Sequence, residues 1–463
     1  MPLLFLGTVL SGWADCTLSP NYLFNSDPTM HVIDGQLWLF TTHDQTSEMF
    51  IKGNDWGNMY DYHALSTKDF HTWVDHGSIL SILDTPWAKG NALWDGDAGI
   101  AANGKYYAYT TSQFEIGVLV SDNPAGPYKD ALGHPMITQN ACSPAVFRDD
   151  DGTAYLIYGW GQVYLVKLKP NMIEMAGEPV HLSVPKDFVE SPIMTKINGK
   201  YYFTYSNGGM WGEQKFPKPQ IKYSVSDHLL GPFTDSKLLQ DIQINPDGQG
   251  FVHKYAGNAH QDLRCYKGQW YFAYNRDGKD GIHRHVGVTK LEVHADGTLG
   301  VIDPNTDKGV VEGPINFVLD AFAPYKREAE EFHARQGADE ELGGRQDYHF
   351  KMKNEGFLRY NHMDFGQGAG GYRIEVSCEN PKLENGKVEF RLDAPNGTLI
   401  GESPVVCTGG KTNYVVLTGA TERLVGGIHD LFIVAHGEQG DASGHLFNIN
   451  WFTFTKNAPS ITK

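Results

Sequence analysis

Five segments of the chain share one pattern, a polar turn followed by an aromatic strand. They read "IDGQLWLFT", "ANGKYYAYT", "DDGTAYLIY", "INGKYYFTY" and "YKGQWYFAY". The turn glycines are Gly35, Gly104, Gly152, Gly199 and Gly268. Asp-Gly and Asn-Gly between alternating apolar residues favour tight hairpins, because such turns need positive φ. The pattern therefore predicts five hairpins.

The intervals between these hairpins leave room for further short strands. Successive turn glycines are 47 to 69 residues apart, and segments such as "YDYHALSTKDFHTWVD" and "IKYSVSDHLLGPF" fill the space. Four antiparallel strands in about 50 residues are typical of a propeller blade. Almost no segment has helical periodicity. We predict an all-β fold in which residues 1–310 form a five-bladed β-propeller.

The last third of the chain has a different pattern. The aromatic hairpins stop after residue 303, and period-two strands such as "GYRIEVSCE", "GKVEFRLDA" and "FNINWFTF" follow, separated by Gly, Asn and Asp turns. Such a series is typical of an antiparallel β-sandwich. We therefore expect a linker over 311–324 and a β-sandwich of the jelly-roll type over 325–463.

Composition and charge narrow the range of partners. The chain has 463 residues, of which 41% are hydrophobic, and a formal net charge of −17. Because a nucleic acid backbone would be repelled, we expect no nucleic acid partner. No apolar run reaches the length of a membrane span, so we expect no membrane partner. The apolar run "LLFLGTVL" near the start lacks a preceding basic residue, which leaves both an extracellular and a cytoplasmic location open.

Polar residues precede each turn glycine by seven to nine positions, near the start of the first strand of each repeat. They are Asp27, Asp97, Ser143, Glu190 and His260. First strands line the channel of a propeller, so these side chains are expected to meet at one mouth of it. Burying a carboxylate without a partner costs several kcal/mol of folding free energy, and a propeller does not need such groups to fold. A ring of them that converges on one place therefore predicts a functional site. The alternative is that each residue caps a strand end.

Two carboxyl groups across a cavity fit the hydrolysis of a glycosidic bond. One protonates the leaving oxygen, and the other activates water or attacks the sugar. Tryptophans supply flat apolar faces on which sugar rings pack, and we select Trp94 and Trp56 as candidates for substrate binding. The alternative for each is an ordinary place in the core.

The order of these motifs resembles a known family. The runs "SDPTMHVIDGQLWLFTTHD", "PWAKGNALWDGDAGIAANGKYY", "SPAVFRDDDGTAYLIYG", "VESPIMTKINGKYYFTYS" and "GNAHQDLRCYKGQWYFAYN" are similar to glycoside hydrolase family 43, in its β-xylosidase and α-L-arabinofuranosidase branch. Members are five-bladed propellers that invert the anomeric centre. The stretches "YKREAEEFHARQGADEE" and "LFNINWFTF" resemble carbohydrate-binding module family 6.

The resemblance implies roles for several residues. Asp27 in "SDPT" takes the place of the general base, and Glu190 in "VESP" that of the general acid. His260 matches a channel histidine that helps to hold a metal or water, and Arg284 matches an arginine that faces the substrate. Ser143 stands where the family pattern "DPAVF" has an auxiliary aspartate that tunes the acid.

The resemblance also bears on ions and cofactors. It implies that the chemistry requires no cofactor. Calcium remains a candidate in two places: the propeller channel, where His260 would hold it through waters, and the C-terminal domain, where Glu328 and Glu330 occupy an acidic pair that often binds calcium.

The serine at position 143 allows three interpretations. A neighbouring carboxylate substitutes for the missing aspartate, and Asp97, or else Asp95, is the candidate because the family often has "WAPDA" where this chain has "WDGDA". Alternatively, the serine accompanies a changed substrate or pH optimum. In the third interpretation, strong catalysis has been lost.

We expect an inverting, exo-acting hydrolase that releases xylose or arabinofuranose from plant cell-wall polysaccharides or oligosaccharides. Two alternatives are open. One is a propeller that binds carbohydrate without cutting it. The other is an endo-acting arabinan or galactan hydrolase, in which an open groove replaces the pocket.

Overall fold

The computed structural model describes residues 22–44, 59–90, 92–207, 210–211, 214–215, 220–241, 260–277, 284–303, 309–311, 313–343 and 348–458. These residues form strands almost throughout, with one short 3₁₀ turn at Ile82–Asp84. Among them there is no helix with the length and apolar character of a membrane span. The fold is all-β, as the hydrophobic pattern predicts.

The first two thirds of the chain form separate antiparallel sheets. In chain order the strands are β1 (Asn25–Ile33), β2 (Gln36–His43), β3 (Asp61–Thr67) and β4 (Thr72–Ser81); β5 (Trp94–Ala102), β6 (Lys105–Ser112), β7 (Glu115–Ser121) and β8 (Lys129–Asp130); β9 (Ala145–Arg148), β10 (Ala154–Tyr158), β11 (Tyr164–Lys167) and β12 (Val180–His181). Next come β13 (Glu190–Ile197), β14 (Lys200–Ser206), the short pair β15 (Met210–Trp211) and β16 (Gln214–Lys215), β17 (Ile221–Ser226) and β18 (Lys237–Gln240), and then β19 (Gln261–Tyr266), β20 (Gln269–Asp277) and β21 (Arg284–Leu291).

The first strands of these sheets surround a common axis. Strand β1 contacts β5, β5 contacts β9, β9 contacts β13, β13 contacts β19, and β19 contacts β1 again. This closed ring of inner strands is the arrangement of a β-propeller, which the repeat predicts. The cores between neighbouring sheets are built from aromatic and aliphatic side chains, such as Phe40, Tyr62 and Ala98 between the sheets that begin with β1 and β5.

The predicted hairpins are present. Strand pairs β1–β2, β5–β6, β13–β14 and β19–β20 are antiparallel with two-residue turns. Both turn residues have positive φ in each case, for example 49° at Asp34 and 73° at Gly35. Because a side chain at the second position would be strained, glycine recurs there.

The C-terminal third consists of β22 (Asn316–Asp320), β23 (Arg327–Glu328), β24 (Ala334–Leu342), β25 (Tyr348–Asp364), β26 (Ala369–Cys378), β27 (Glu384–Leu392), β28 (Thr398–Pro404), β29 (Gly410–Val425), β30 (Ile428–Glu438) and β31 (His445–Thr455). One hydrophobic core, which includes Phe350, Tyr360, Phe390 and Phe452, lies within this part. It is a β-rich domain with its own interior.

The segment predicted as a linker contains a strand that joins the two parts. Strand β22 pairs in parallel with β4 on one side and with β25 on the other, so a single sheet runs from the propeller into the C-terminal domain. Its apolar residues "FVL" pack in this sheet. The hydrogen bonds of β22 therefore join the two parts within the segment predicted as a linker.

A buried ionic network lies beside this junction. Arg327 donates to Asp75 Oδ2 on β4 over 3.2 Å and also to Glu331, and Tyr22 donates to the same Asp75 oxygen over 2.9 Å. The side chains of Arg327 and Asp75 are 1% and 0% exposed. A buried ion pair is sensitive to the loss of either partner, so the junction is a specific interface.

Candidate active site

Three of the five predicted ring residues line one cavity, and a fourth, Glu190, directly precedes Ser191, which also lines it. Its walls include Asp27 on β1, Asp95 on β5, Ser143 just before β9, Ser191 on β13 and His260 just before β19. Each inner strand therefore contributes one polar group close to its start. Asp27, Ser143 and His260 are in the cavity as the repeat predicts.

Irregular backbone turns several of these side chains toward the axis. The pairing of β1 with β2 shifts between Ser26 and Thr29, and that of β13 with β14 shifts between Glu190 and Ile193. Asp27, Ser143 and Ser191 have φ values of 52°, 52° and 55°. Positive φ is uncommon outside glycine, and bulges are frequent beside active sites because they redirect side chains.

Asp27 is a buried carboxylate that is surrounded by donors. Its Oδ1 accepts from Asn275 Nδ2 and Arg284 Nη1, both over 2.8 Å, and its Oδ2 accepts from the Thr42 hydroxyl over 2.8 Å. Burial raises the pKa of Asp27, but the charges of Arg284 and His260 and these hydrogen bonds outweigh it, so the pKa lies below its ordinary value. Asp27 is therefore ionised at neutral pH.

Arg284 binds two carboxylates at once. Besides Asp27, it donates from Nε and Nη2 to the two oxygens of Asp44 over 2.9 and 2.7 Å. Its side chain is only 6% exposed. Arg284 is thus a partner that keeps Asp27 charged, and its predicted role of facing the substrate stays a prediction.

Glu190 has the opposite environment. It is buried, and its Oε1 makes no hydrogen bond to any residue in the described part of the chain. Burial raises the pKa of Glu190 well above its ordinary value, and the negative charges of Asp95 and Asp27 raise it further. The pKa of Glu190 is therefore shifted in the opposite direction to that of Asp27, which favours the protonated form of Glu190 and the ionised form of Asp27.

His260 connects the groups of the ring. Its Nδ1 lies 3.4 Å from Asp95 Oδ2 and forms a hydrogen bond with the Ser191 hydroxyl, and its Nε2 lies 3.7 Å from Asp27 Oδ1. Both nitrogens thus have protein partners in this arrangement. The binding of calcium through waters at His260 stays a prediction.

Asp95, and not Asp97, is the carboxylate that reaches the cavity on β5. Asp95 and Ser143 both line the cavity, and Asp95 Oδ2 lies 3.4 Å from His260 Nδ1. Asp97 accepts instead from His31 Nε2 over 2.7 Å and from the backbone N–H of Val146, on β9, over 2.8 Å. The prediction that Asp97 takes the place of the missing aspartate is therefore wrong, because its oxygens bind two neighbouring strands.

A bulge explains why these two aspartates point differently. Trp94 pairs with Thr111 and Gly96 with Thr110, which leaves Asp95 as an extra residue in β5. Asp262, two residues after His260, behaves like Asp97: its Oδ2 accepts from the backbone N–H of Met30 on β1 over 2.7 Å. Asp97 and Asp262 thus bind adjacent inner strands together, whereas Asp95 and His260 face the cavity.

The spacing in the sequence favours Asp95 over Asp97, although Asp97 was the first choice. Asp95 precedes Gly104 by nine residues, as Ser143 precedes Gly152 and Glu190 precedes Gly199. No comparable pattern marks Thr42 on β2, Asn275 on β20 or Asp44 after β2.

The candidate aromatic residues differ in what the structure shows. Trp94 is partly exposed and directly precedes Asp95; it packs edge-on against Phe114 at 5.3 Å, and Phe114 stacks on Trp160 at 5.0 Å. These three rings form a partly exposed aromatic group next to the cavity wall. Trp56 lies outside the described residues.

Glu328 and Glu330 lie in the C-terminal domain, away from this cavity. Both are 4% exposed. Burial raises the pKa of Glu330 well above its ordinary value, and the charge of Glu328 adds to this. Glu330 Oε2 has no hydrogen-bond partner among the described residues, and Lys326 forms an ion pair with Glu328. Hard oxygen ligands of this kind fit calcium, which would relieve the repulsion between the two carboxylates.

A propeller in which the pKa of one buried carboxyl group is lowered and that of another is raised has the fold and the kind of carboxyl pair that glycoside hydrolysis requires. The chain belongs to the family described as glycosyl hydrolases family 43, which matches residues 21–299, and the carbohydrate binding module of family 6 matches residues 328–456. The protein is thus a glycoside hydrolase with a module of a carbohydrate-binding family.

Related proteins span most of the chain. The arabinoxylan arabinofuranohydrolase of Paenibacillus polymyxa is 28% identical over 96% of this chain and 74% of its own length. The xylosidase/arabinosidase of Bacteroides ovatus is 31% identical over 60% of this chain and 95% of its own length. A crystal structure of the family 43 arabinoxylan arabinofuranohydrolase of Bacillus subtilis in complex with cellotetraose has 26% identity and a TM-score of 0.54, over 96% of this chain and 98% of that one.

Proposed function

We propose that this protein is an inverting, exo-acting hydrolase that removes arabinofuranose or xylose from plant cell-wall xylan or its oligosaccharides. The proposal rests on two buried carboxyl groups with opposite pKa shifts: Asp27, which lines the cavity, and Glu190, which directly precedes the cavity residue Ser191. The relatives named arabinoxylan arabinofuranohydrolase and xylosidase/arabinosidase support the sugar class.

The two carboxyl groups divide the work of inversion. Glu190 gives its proton to the oxygen of the leaving alcohol as the bond to the anomeric carbon breaks. Asp27 takes a proton from a water that attacks the opposite face of the sugar, so that the net reaction consumes one water. Arg284 keeps Asp27 ionised before the reaction, because its guanidinium favours the charged form.

Aromatic side chains beside the cavity favour a carbohydrate substrate. The partly exposed group of Trp94, Phe114 and Trp160 offers flat faces for the rest of the substrate at its edge.

We propose further that the propeller has five blades and that the C-terminal domain is a β-sandwich of the jelly-roll type. The closed ring of β1, β5, β9, β13 and β19 supports a blade for each inner strand, with β1–β4 as the blade whose sheet continues into the C-terminal domain. On this proposal the propeller occupies residues 1–310 and the sandwich 325–463, with calcium at Glu328 and Glu330.

The test is release of sugar by the parent protein and by Glu190→Gln. Aryl α-L-arabinofuranoside, aryl β-D-xyloside and oligosaccharides of arabinoxylan, arabinan and galactan are incubated across about pH 4 to 9. Glu178→Gln is the matched control, because Glu178 is exposed. We expect the parent and the control to release a single pentose, and NMR of the first product to show an inverted anomer.

Other outcomes would contradict the proposal in distinct ways. Release of short oligomers from arabinan or galactan would indicate an endo-acting enzyme. If a folded parent protein binds sugar but does not release it from any substrate, the protein is a carbohydrate-binding propeller. Ser143 is the observation that favours this alternative. Full activity of Glu190→Gln on the oligosaccharides, whose leaving groups need a proton, would show that another group is the acid.

A further inference from the structure

Asp27 has a backbone conformation that few residues adopt. Its φ is 52°, in the left-handed region, and it lies where the pairing of β1 with β2 shifts. A residue other than glycine is strained in this region, and it persists there only where the surrounding structure fixes it. The contacts of Asp27 must therefore include one that holds its main chain.

The side chain of Asn275, on β20, makes that contact. Its Oδ1 accepts from the backbone N–H of Asp27 over 2.7 Å, and its Nδ2 donates to Asp27 Oδ1 over 2.8 Å. One amide group thus binds both the main chain and the carboxylate of the same residue. The backbone of Asn275 is fixed in turn, because it donates to the carbonyl oxygen of His260 over 3.1 Å and pairs with Val286 on β21.

The chemistry of these two contacts requires an asparagine. A backbone N–H only donates and an ionised carboxylate only accepts, so the group that faces both must present one acceptor and one donor side by side. An aspartate at this position would place a second negative charge against Asp27 Oδ1, and a glutamine would be longer by one methylene group. The amide of Asn275 therefore complements an ionised Asp27.

These hydrogen bonds leave the two oxygens of Asp27 unequal. Oδ1 accepts from Asn275 and from Arg284, which together occupy its two lone pairs. Oδ2 accepts only from the Thr42 hydroxyl among the residues that the structure describes, so one of its lone pairs is left. A water that gives up a proton needs an acceptor of this kind.

We propose that Asn275 is a positioning residue of this hydrolase, which fixes Asp27 so that Oδ2 faces the attacking water. Oδ2 takes one proton from the water while the water oxygen bonds to the anomeric carbon, and the bond to the leaving oxygen breaks as Glu190 protonates that oxygen. Asn275 itself transfers no proton. This proposal rests on the proposed function, since it needs Asp27 to be the base.

The first test measures kcat, KM and the pH profile of Asn275→Ala and Asn275→Asp. Without the amide the carboxylate is free to rotate, so kcat should fall about tenfold or more while KM changes by less than about threefold. The hydrogen bond from Asn275 lowers the pKa of Asp27, so its loss should move the acid limb of kcat/KM to higher pH. The shift should be larger in Asn275→Asp, because an added negative charge favours the protonated form of Asp27.

Asn450→Ala is the matched control. Asn450 also donates from Nδ2 to a buried carboxylate, Glu375 Oε2, over 2.7 Å, but it lies in the C-terminal domain. Its loss should lower the unfolding temperature, as that of Asn275 does, and leave kcat and the acid limb at the parent values. If the role of Asn275 were only structural, the two alanine variants would behave alike.

The second test is a crystal structure of the parent protein that resolves ordered water, compared with one of Asn275→Ala. In the parent we expect a water within hydrogen-bonding distance of Asp27 Oδ2 and none on Oδ1. In the variant we expect a different φ or side-chain rotamer for Asp27. The parent structure alone decides where the water binds, so this test applies even if the variants at position 275 do not fold.

Two results would overturn the proposal. One is a folded Asn275→Ala with the kcat and acid limb of the parent; the other is a parent structure in which water binds Asp27 Oδ1 or none reaches Oδ2. If Asp27→Asn is inactive and Asn275→Ala has the parent profile, the proposed function stands and only the role of Asn275 fails. If Asp27→Asn is active, the proposed function fails first.

Discussion

Arg284 joins Asp27 to Asp44, since one guanidinium donates to Asp27 Oδ1 over 2.8 Å and to Asp44 Oδ1 over 2.7 Å. Asp44 occupies one edge of the fork and leaves the Nη1 edge for Asp27. Asp44 thus holds Arg284 in place, and Arg284 keeps the proposed base Asp27 ionised.

Replacing Arg284 with lysine should weaken this control. A lysine is a single point charge and cannot bind both carboxylates in the fork geometry. Because Arg284 lowers the pKa of Asp27, its loss should raise that pKa and move the acid limb of kcat/KM to higher pH. Arg264→Lys, at the partly exposed pair with Asp262, is the control, and its acid limb should match the parent. An unchanged limb in Arg284→Lys would exclude this role.

The leaving group should decide how much activity Glu190→Gln retains. An acid contributes about 10² to 10⁴ in rate when the leaving group needs a proton. Loss should therefore be of that order for oligosaccharides and much smaller for aryl glycosides with acidic phenols. Asp27→Asn provides the comparison, because the attack of water is needed for both substrates and both should fall alike. Equal losses for both substrates in Glu190→Gln would argue against an acid at this position.

Asp97 should matter for stability and not for the pH profile. Asp97→Asn weakens the acceptor of the Val146 N–H and of His31. The loss of a hydrogen bond to a buried carboxylate costs about 1–3 kcal/mol, which denaturant unfolding measures directly. A variant with parental stability would show that this connection between β5 and β9 is dispensable.

The junction between the two domains should be sensitive to Arg327. Arg327→Met leaves Asp75 and Glu331 buried without their cation, at a cost of about 3–5 kcal/mol. Arg335→Met, at an exposed pair with Glu340, is the matched control and should cost less than about 1 kcal/mol. Calorimetry should show a lower unfolding temperature for the first variant. Equal effects in both variants would contradict a specific interface.

Calcium should stabilise the C-terminal domain. A ligand that binds only the folded protein raises its stability in proportion to the logarithm of its concentration. We expect chelation to lower the unfolding temperature of the parent and of Glu379→Gln, an exposed control, but not that of Glu330→Gln. A parent protein that is insensitive to chelator would remove the proposed site.

The repeat in the sequence predicts a large part of the fold because its signals are local. An Asp-Gly or Asn-Gly hairpin turn needs positive φ at two neighbouring residues, and Asp34 and Gly35 both have it. The same argument places Asp27 and His260 at the cavity, since the start of an inner strand is the same place in every sheet.

The sequence is a poorer guide where a strand is irregular or where a contact joins distant parts of the chain. Strict alternation does not distinguish Asp95 from Asp97, since both lie on the same face of a regular strand, and only the bulge between Trp94 and Gly96 separates them. The contact between Arg284 and Asp44 also follows from no motif, because Arg284 begins β21 and Asp44 follows β2 in another sheet. The pairing of β22 is also non-local, because its partners are β4 and β25.

Strand β22 has a consequence for how the enzyme works on a polymer. Modules joined by a flexible tether sample many orientations, whereas a shared sheet transmits the position of one domain to the other. A glycan bound by the C-terminal module would therefore be held at a fixed distance and orientation relative to the cavity. Only sugar branches at a matching distance along the polymer would then reach the cavity.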